Sequence, residues 1–201
     1  MSVKLGKNNN LSQDRLFSSV KKVVVITISG PHGSGKSTYA QAIAKALNLR
    51  YVSSGQSFRE LAKKYNCNLE EFSRRCENDK SIDKEIDQIT IDEAKKGEVI
   101  LEGQLAAWMA MEFADLHIYV TASLKTRVER IAERDGINFK EARKETIART
   151  RSEVRRFKRM YNVDIEKTDI YDIILSTDRL PRELCVNILI ASCKEFINNK
   201  T

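Results

Sequence analysis

The stretch Gly30-Pro31-His32-Gly33-Ser34-Gly35-Lys36-Ser37-Thr38 carries the G-x-x-x-x-G-K-[ST] spacing of a loop that can hold a polyphosphate. Glycines at 30, 33 and 35 let the backbone curl until successive N–H groups face one concavity at a helix N-terminus, which is an anion site. Lys36 then reaches the β- and γ-oxygens as a point charge, and the Ser37 hydroxyl ligates Mg2+ carried in with the nucleotide. A turn that only joined a strand to a helix would need neither a lysine nor a hydroxyl in those two positions. The chemistry implied is that of ATP or GTP, with the acceptor of the phosphate left open.

A second group of chemical residues is cationic. Within 138–160, the run Arg149, Arg151, Arg155, Arg156, Lys158 and Arg159 has only Glu145 and Glu153 near it in sequence. A solvated helix face normally mixes the signs, so arginines gathered this way predict a lid that clamps phosphate. Arg127, Arg130 and Arg134 recur along the helix before it. His117 falls inside a strand and reads as structural, and Trp108, on a short apolar helix, reads as core. The chain shows no Ser, His or Cys dyad of the kind that nucleophilic catalysis uses. Phosphoryl transfer does without one, because its loose transition state is stabilised mainly by positioning and charge.

These residues need elements to hold them. Val23–Ile28 is a continuous β-branched run, as expected of a parallel strand buried on both faces, and Thr38–Leu47 has helical spacing. Further strands are predicted at 50–52, 98–101, 116–120 and 171–175. Residues 57–96 are helical throughout, more than one crossover requires, so they read as an inserted helical subdomain. Ser123 caps the helix after the fourth strand and Gly136 ends it. Pro181 opens the last helix, where Cys185, Leu189 and Cys193 share a face. Five strands alternating with helices give an α/β, doubly wound parallel sheet.

At 201 residues the chain supports one domain, residues 21–201, after a disordered leader over 1–20 rich in Asn and Ser. The formal charge of +7 suits a protein handling two polyphosphates as well as one binding nucleic acid, and the arginine segment lacks the interleaved aromatics of a nucleic-acid surface. Cys67, Cys76, Cys185 and Cys193 have no C-x-x-C or histidine partner spacing and read as reduced thiols. No apolar run approaches the roughly eighteen residues that span a membrane. A cytoplasmic monomer is expected.

Together the P-loop, Ser54-Gly55-x-x-Phe58-Arg59, Leu101-Glu102-Gly103, Leu105-Ala106-Ala107-Trp108, Arg130 to Ile137 and Arg155-Arg156-Phe157-Lys158-x-x-Tyr161-x-Val163-Asp164-Ile165 resemble a nucleoside monophosphate kinase, most closely the archaeal-type cytidylate kinases. The resemblance spans 23 to about 177. It implies a P-loop fold with strand order 2-3-1-4-5, an NMP-binding insertion over 54–96 and a lid over 134–160. It also implies transfer of phosphate from ATP, with Mg2+, to CMP or dCMP. Adenylate and uridylate kinases share the scaffold, and a basic ATPase acting on nucleic acid is the reading from another class. By resemblance Ser54, Arg59, Glu102, Gly103 and Gln104 hold the acceptor, with Gln104 standing where related kinases commonly carry arginine. Arg130 and Arg134 join the ATP site, and Arg149, Arg155 and Arg156 join Lys36 as catalytic groups. Asp83, Asp87 and Gln88 are candidates for base selection.

Overall fold

The computed structural model describes residues 23–200; the leader expected over 1–20 lies outside them. Strand β1 (Val25–Ser29) is buried along its whole length, and the P-loop connects it to α1 (Lys36–Leu47), which ends on Asn48 in the left-handed conformation. Strand β2 (Arg50–Ser53) runs straight into α2 (Ser54–Lys64), because the Ser53 hydroxyl caps that helix by accepting from the Gln56 N–H. The insertion continues through α3 (Leu69–Asn78), opened by a reciprocal Asn68–Glu71 capping box, and α4 (Lys80–Lys96), capped by Asp79. Then come β3 (Val99–Glu102), the short α5 (Ala106–Met109), β4 (Leu116–Thr121), α6 (Leu124–Asp135), α7 (Phe139–Tyr161), β5 (Ile173–Ser176) and α8 (Arg182–Asn199).

The sheet is parallel throughout, in the order β2-β3-β1-β4-β5 expected from the resemblance. Alternation along β1 splits the core into two layers. Ile26 and Ile28 pack with Ile43 of α1, Ile118, and Cys185, Leu189 and Cys193 of α8, whereas Val25 packs with Ala94 of α4, Val99, Leu101 and Ala106. Between the two apolar partners on β1, the buried Thr27 hydroxyl hydrogen-bonds His117 Nδ1 at 2.7 Å, which is the structural role expected of that histidine. Trp108 meets Tyr171 edge to face at 5.8 Å between centroids, a packing contact. The insertion keeps its own cluster, in which Phe58 packs edge to face on Phe72 at 4.9 Å with Cys76, Ile82 and Ile86 around them. A fourth cluster, with Val128, Ile131 and Ala142, joins α6 to the start of α7. All four cysteines are free thiols, three of them buried. Among the described residues no helix is long and apolar enough to cross a membrane.

The register brings the carboxyl ends of three strands to one edge. Ile28 of β1 and Ser53 of β2 both align with Glu102 of β3. In an open parallel sheet this edge is where ligands bind.

Candidate active site

A cavity of about 820 Å3 opens at that edge, walled by the P-loop, by the insertion and by α7. Its floor is the loop itself. Gly33, at φ 79°, lies so close to α6 that a Cβ would sit 2.5 Å from the Arg127 carbonyl oxygen, so only glycine fits. Arg127 donates to the His32 carbonyl at 3.1 Å, and Arg130 donates to the Thr177 hydroxyl and carbonyl at 2.9 Å each. Thr177 in turn donates to the Ser34 carbonyl at 3.3 Å. The carbonyls of His32 and Ser34 are thereby held by α6 and by the residue after β5, on the side away from the concavity that the loop's remaining N–H groups can offer an anion.

Lys36, 9% exposed, places Nζ 3.8 Å from Glu102 Oε1. Burial lowers the lysine below its ordinary range, and the Glu102 carboxylate opposes that effect. Glu102 is the hub of this corner. It accepts from Ser37 Oγ at 3.1 Å, Tyr51 OH at 3.2 Å and Ser53 Oγ at 2.5 Å, while only 3% exposed. A hydroxyl and a carboxylate side by side offer the hard oxygen donors that Mg2+ takes. No cluster of three or more His, Cys, Asp or Glu side chains suited to a metal occurs among the described residues.

On α7, Arg149, Glu153 and Arg156 follow at i, i+4 and i+7 and line the cavity together. Arg155 does not reach it. One residue from Arg156 is about 100° of helix rotation, and Arg155 faces solvent, so of the three α7 arginines expected at the site the cavity is lined by Arg149 and Arg156 and not by Arg155. Nor is the cationic segment short of carboxylates. Glu153 accepts from Arg149 Nε at 3.2 Å, and Asp83 of α4 lies 2.9 Å from Arg156 Nε with both side chains almost wholly buried. That pair is close without being aligned. Arg156 Nη1 and Asp83 Oδ2 remain buried with no hydrogen-bond partner.

The wall of the cavity away from α6 is formed by α2, α4 and the residues that lead into α5. Ser54 Oγ lies 3.2 Å from Thr90 Oγ1 and so tight against Gly103 that a Cβ there would come within 2.6 Å of it. Arg59 lines the cavity with an exposed guanidinium. Gln104 also lines it, but its amide is engaged, donating to Glu153 at 2.7 Å and lying 2.6 Å from His32 Nε2. Arg134, held by two 2.7 Å contacts to Asp135, borders the opposite end with Ile131, Leu180 and Arg182.

A family model described as the cytidylate kinase-like family matches residues 25–179. The chain belongs to that family. The cytidylate kinase of Staphylothermus marinus is 46% identical over 175 residues, covering 87% of this chain and 97% of that protein. The cytidylate kinase of Methanocaldococcus jannaschii is 43% identical over 169 residues, covering 83% and 95%. Among solved structures, the shikimate kinase of Bacteroides thetaiotaomicron superposes with a TM-score of 0.57 at 12% identity, over 88% of this chain and 99% of that one. An uncharacterized protein from Eubacterium ventriosum reaches 0.63 at 16%, over 85% and 98%. At those identities the structures speak for the fold.

Several residues of this cytidylate kinase-like site escape a reading of the sequence: Tyr51 and Ser53 beneath Glu102, Thr177 behind the loop, and Glu153. The Asp83 and Asp87 candidates do reach the cavity wall, whereas Gln88 is exposed and bonds Asp92 at 2.8 Å. Asp87 accepts from the Tyr161 hydroxyl, and burial pushes it up to about 6 against the effect of that bond. Its folded value thus lies above the ordinary 3.8, so between about pH 4 and 6 the unfolded chain has lost a proton that the fold retains. The contribution of Asp87 to stability must fall as pH rises through that window, by roughly 2–3 kcal/mol, and stay level above it. Asp87→Asn should therefore melt higher than the wild type at pH 7.5 and close to it at pH 4. An equal gain in Tm at both pH values would mean that Asp87 does not titrate this way.

Proposed function

We propose that this protein transfers the γ-phosphoryl group of ATP to CMP or dCMP, giving ADP and the cytidine diphosphate. The observation that carries the reading is one cavity that joins the P-loop, with Lys36 and Ser37, to a second anion-binding wall at Ser54 and Arg59. A switch that only bound nucleotide would have no need of the second wall. The family, and relatives named cytidylate kinase, point to the same acceptor.

The donor phosphates lie on N–H groups of the loop after Pro31, with Lys36 beside the transferring group and Arg130 and Arg134 along the nucleotide. Ser37 and Glu102 would hold Mg2+, which when bound would offset phosphate charge. The acceptor phosphate meets Ser54, Arg59 and the Gly103 corner. As the bridging oxygen departs, negative charge grows on it and on the equatorial oxygens, and Lys36 and Arg149, both on the cavity wall, are the cations that stabilise it in this reading. Closure of α7 over the bound nucleotides would exclude water, which would otherwise take the phosphoryl group. ATP and CMP are both cytoplasmic metabolites, and one chain supplies every group invoked, so a cytoplasmic monomer suffices.

The unpartnered atoms of Asp83 and Arg156 suit the base. Cytosine presents an amino donor at N4 beside acceptors at N3 and O2, and a carboxylate next to a guanidinium is the complementary order. Uracil presents an N3–H donor beside the O4 acceptor, which reverses it. ATP and Mg2+ offered with each monophosphate in turn should give ADP with CMP and dCMP far faster than with AMP, and Asp83→Asn should narrow the preference for CMP over UMP by about tenfold or more. ADP formed at the same rate with no acceptor present would sink the assignment. A CMP preference unmoved by Asp83→Asn would take that carboxylate out of base selection.

A further inference from the structure

Beyond its N-terminal packing on α6, helix α7 docks through polar side chains on two sides. Toward the insertion it uses Arg156 on Asp83, Tyr161 on Asp87, and Ser152 and Arg159 on Glu77. Toward the P-loop the polar contact runs through Glu153. Its carboxylate, 6% exposed, receives His32 Nε2 at 2.7 and 2.9 Å, Gln104 Nε2 at 2.7 Å and Arg149 Nε at 3.2 Å. One buried carboxylate thus gathers three groups, one each from the P-loop, the end of β3 and its own helix. Burial alone would raise Glu153, but His32, Arg149 and Arg156 hold it below the usual carboxylate range; burial pulls His32 down to about 4 while Glu153 opposes. The neutral Nε2–H form of the imidazole is then the donor that ties loop to helix. Lys36 lies within reach of the same field.

Arg149 is the member of the group that can act on a ligand. It is about one-third exposed, lines the cavity, and passes 6.0 Å from the Phe58 ring. Its Nε is committed to Glu153, which leaves the two terminal nitrogens of the fork to face the cavity. We propose that Glu153 is a positioning residue, a latch that seats α7 on the P-loop through His32 and Gln104 and thereby aims Arg149 at the phosphoryl group in transit. The role rests on the kinase reading above, since it presupposes a phosphoryl group moving between Lys36 and the acceptor wall. Removing the carboxylate should leave both nucleotides free to bind and misplace only the arginine that meets the transition state.

The test joins two measurements on the full chain. In steady-state kinetics with ATP, Mg2+ and CMP, Glu153→Gln, which keeps the shape and loses the charge, should lower kcat by about tenfold or more with the KM for ATP within about twofold. Arg149→Ala should lower kcat at least as far, and the double variant should be no worse than Arg149→Ala alone, because Glu153 acts through that arginine. In the ligand-free protein, amide hydrogen exchange over 146–158 should rise in Glu153→Gln and in Gln104→Ala but not in Arg149→Ala. Unchanged exchange in both of the first two variants overturns the latch. Raised exchange with multiplicative losses of kcat in the double variant, or with an unchanged kcat in Glu153→Gln, overturns the aiming of Arg149. A wild type with no CMP-dependent turnover counts against the kinase reading and not against the latch, which exchange then decides alone.

Discussion

Lys36→Met should leave the protein folded and lower kcat for CMP phosphorylation by ~10³-fold or more, or about 4 kcal/mol of transition-state stabilisation. Methionine matches the length and apolar stem of lysine, so the packing around the 9% exposed side chain survives. Glu102 loses its cation but keeps the hydroxyls of Ser37, Tyr51 and Ser53, which is why folding tolerates the change. What disappears is a charge held in a largely enclosed site, where it meets few competing waters and requires no reorganisation as the reaction proceeds. The measurement is steady-state turnover beside a thermal melt. More than about a tenth of the wild-type kcat, in protein that melts normally, would show that the loop is not the donor site.

Glu102→Ala should be the most damaging single change to both stability and activity. The carboxylate stands where β1, β2 and β3 end side by side, and its removal strands the Ser53 hydroxyl and the Lys36 ammonium in a buried corner and releases the hydroxyls of Ser37 and Tyr51. Breaking a buried pair from one side costs about 3–5 kcal/mol, and for a chain of this length that is a Tm lower by on the order of 10 °C. Glu102→Gln retains an acceptor and should recover much of the Tm, yet its turnover should stay low because Ser37 loses the anionic neighbour with which it would hold Mg2+. A Glu102→Ala variant melting within about 2 °C of the wild type would mean that water or a shift of Lys36 satisfies the corner.

Local features of the chain were legible without coordinates. The P-loop is a contiguous spacing rule, and its strand and helix follow from adjacent residues, Val23 to Ile28 and Thr38 to Leu47. Their observed bounds, Val25–Ser29 and Lys36–Leu47, differ by no more than two residues at each end. The shared face of Cys185, Leu189 and Cys193 was equally plain, because helical period alone sets it, and all three are buried in the main core. The strand order came from resemblance to a family and not from any local pattern.

Pairings between distant segments were the part that only the fold decided. Read along the chain, Arg149 to Arg159 are short of carboxylates; in space Asp83 comes to Arg156 from the insertion, the Glu77 backbone carbonyl comes to Arg159, and His32, 121 residues before Glu153, closes on that carboxylate from the loop. Coulomb attraction depends on distance in space and is indifferent to separation in sequence. A count of charges in a window therefore sees the cations and misses the counterions that packing delivers. The same holds for Glu102, which resemblance assigned to the acceptor, while the register of three parallel strands set it beneath Ser37 and Lys36. Arg155 and Arg156 show the converse: neighbours in sequence with the same chemistry, they are separated by one step of helix rotation, and the docking of α7 on Asp83 and His32 decided which of them faces the cavity.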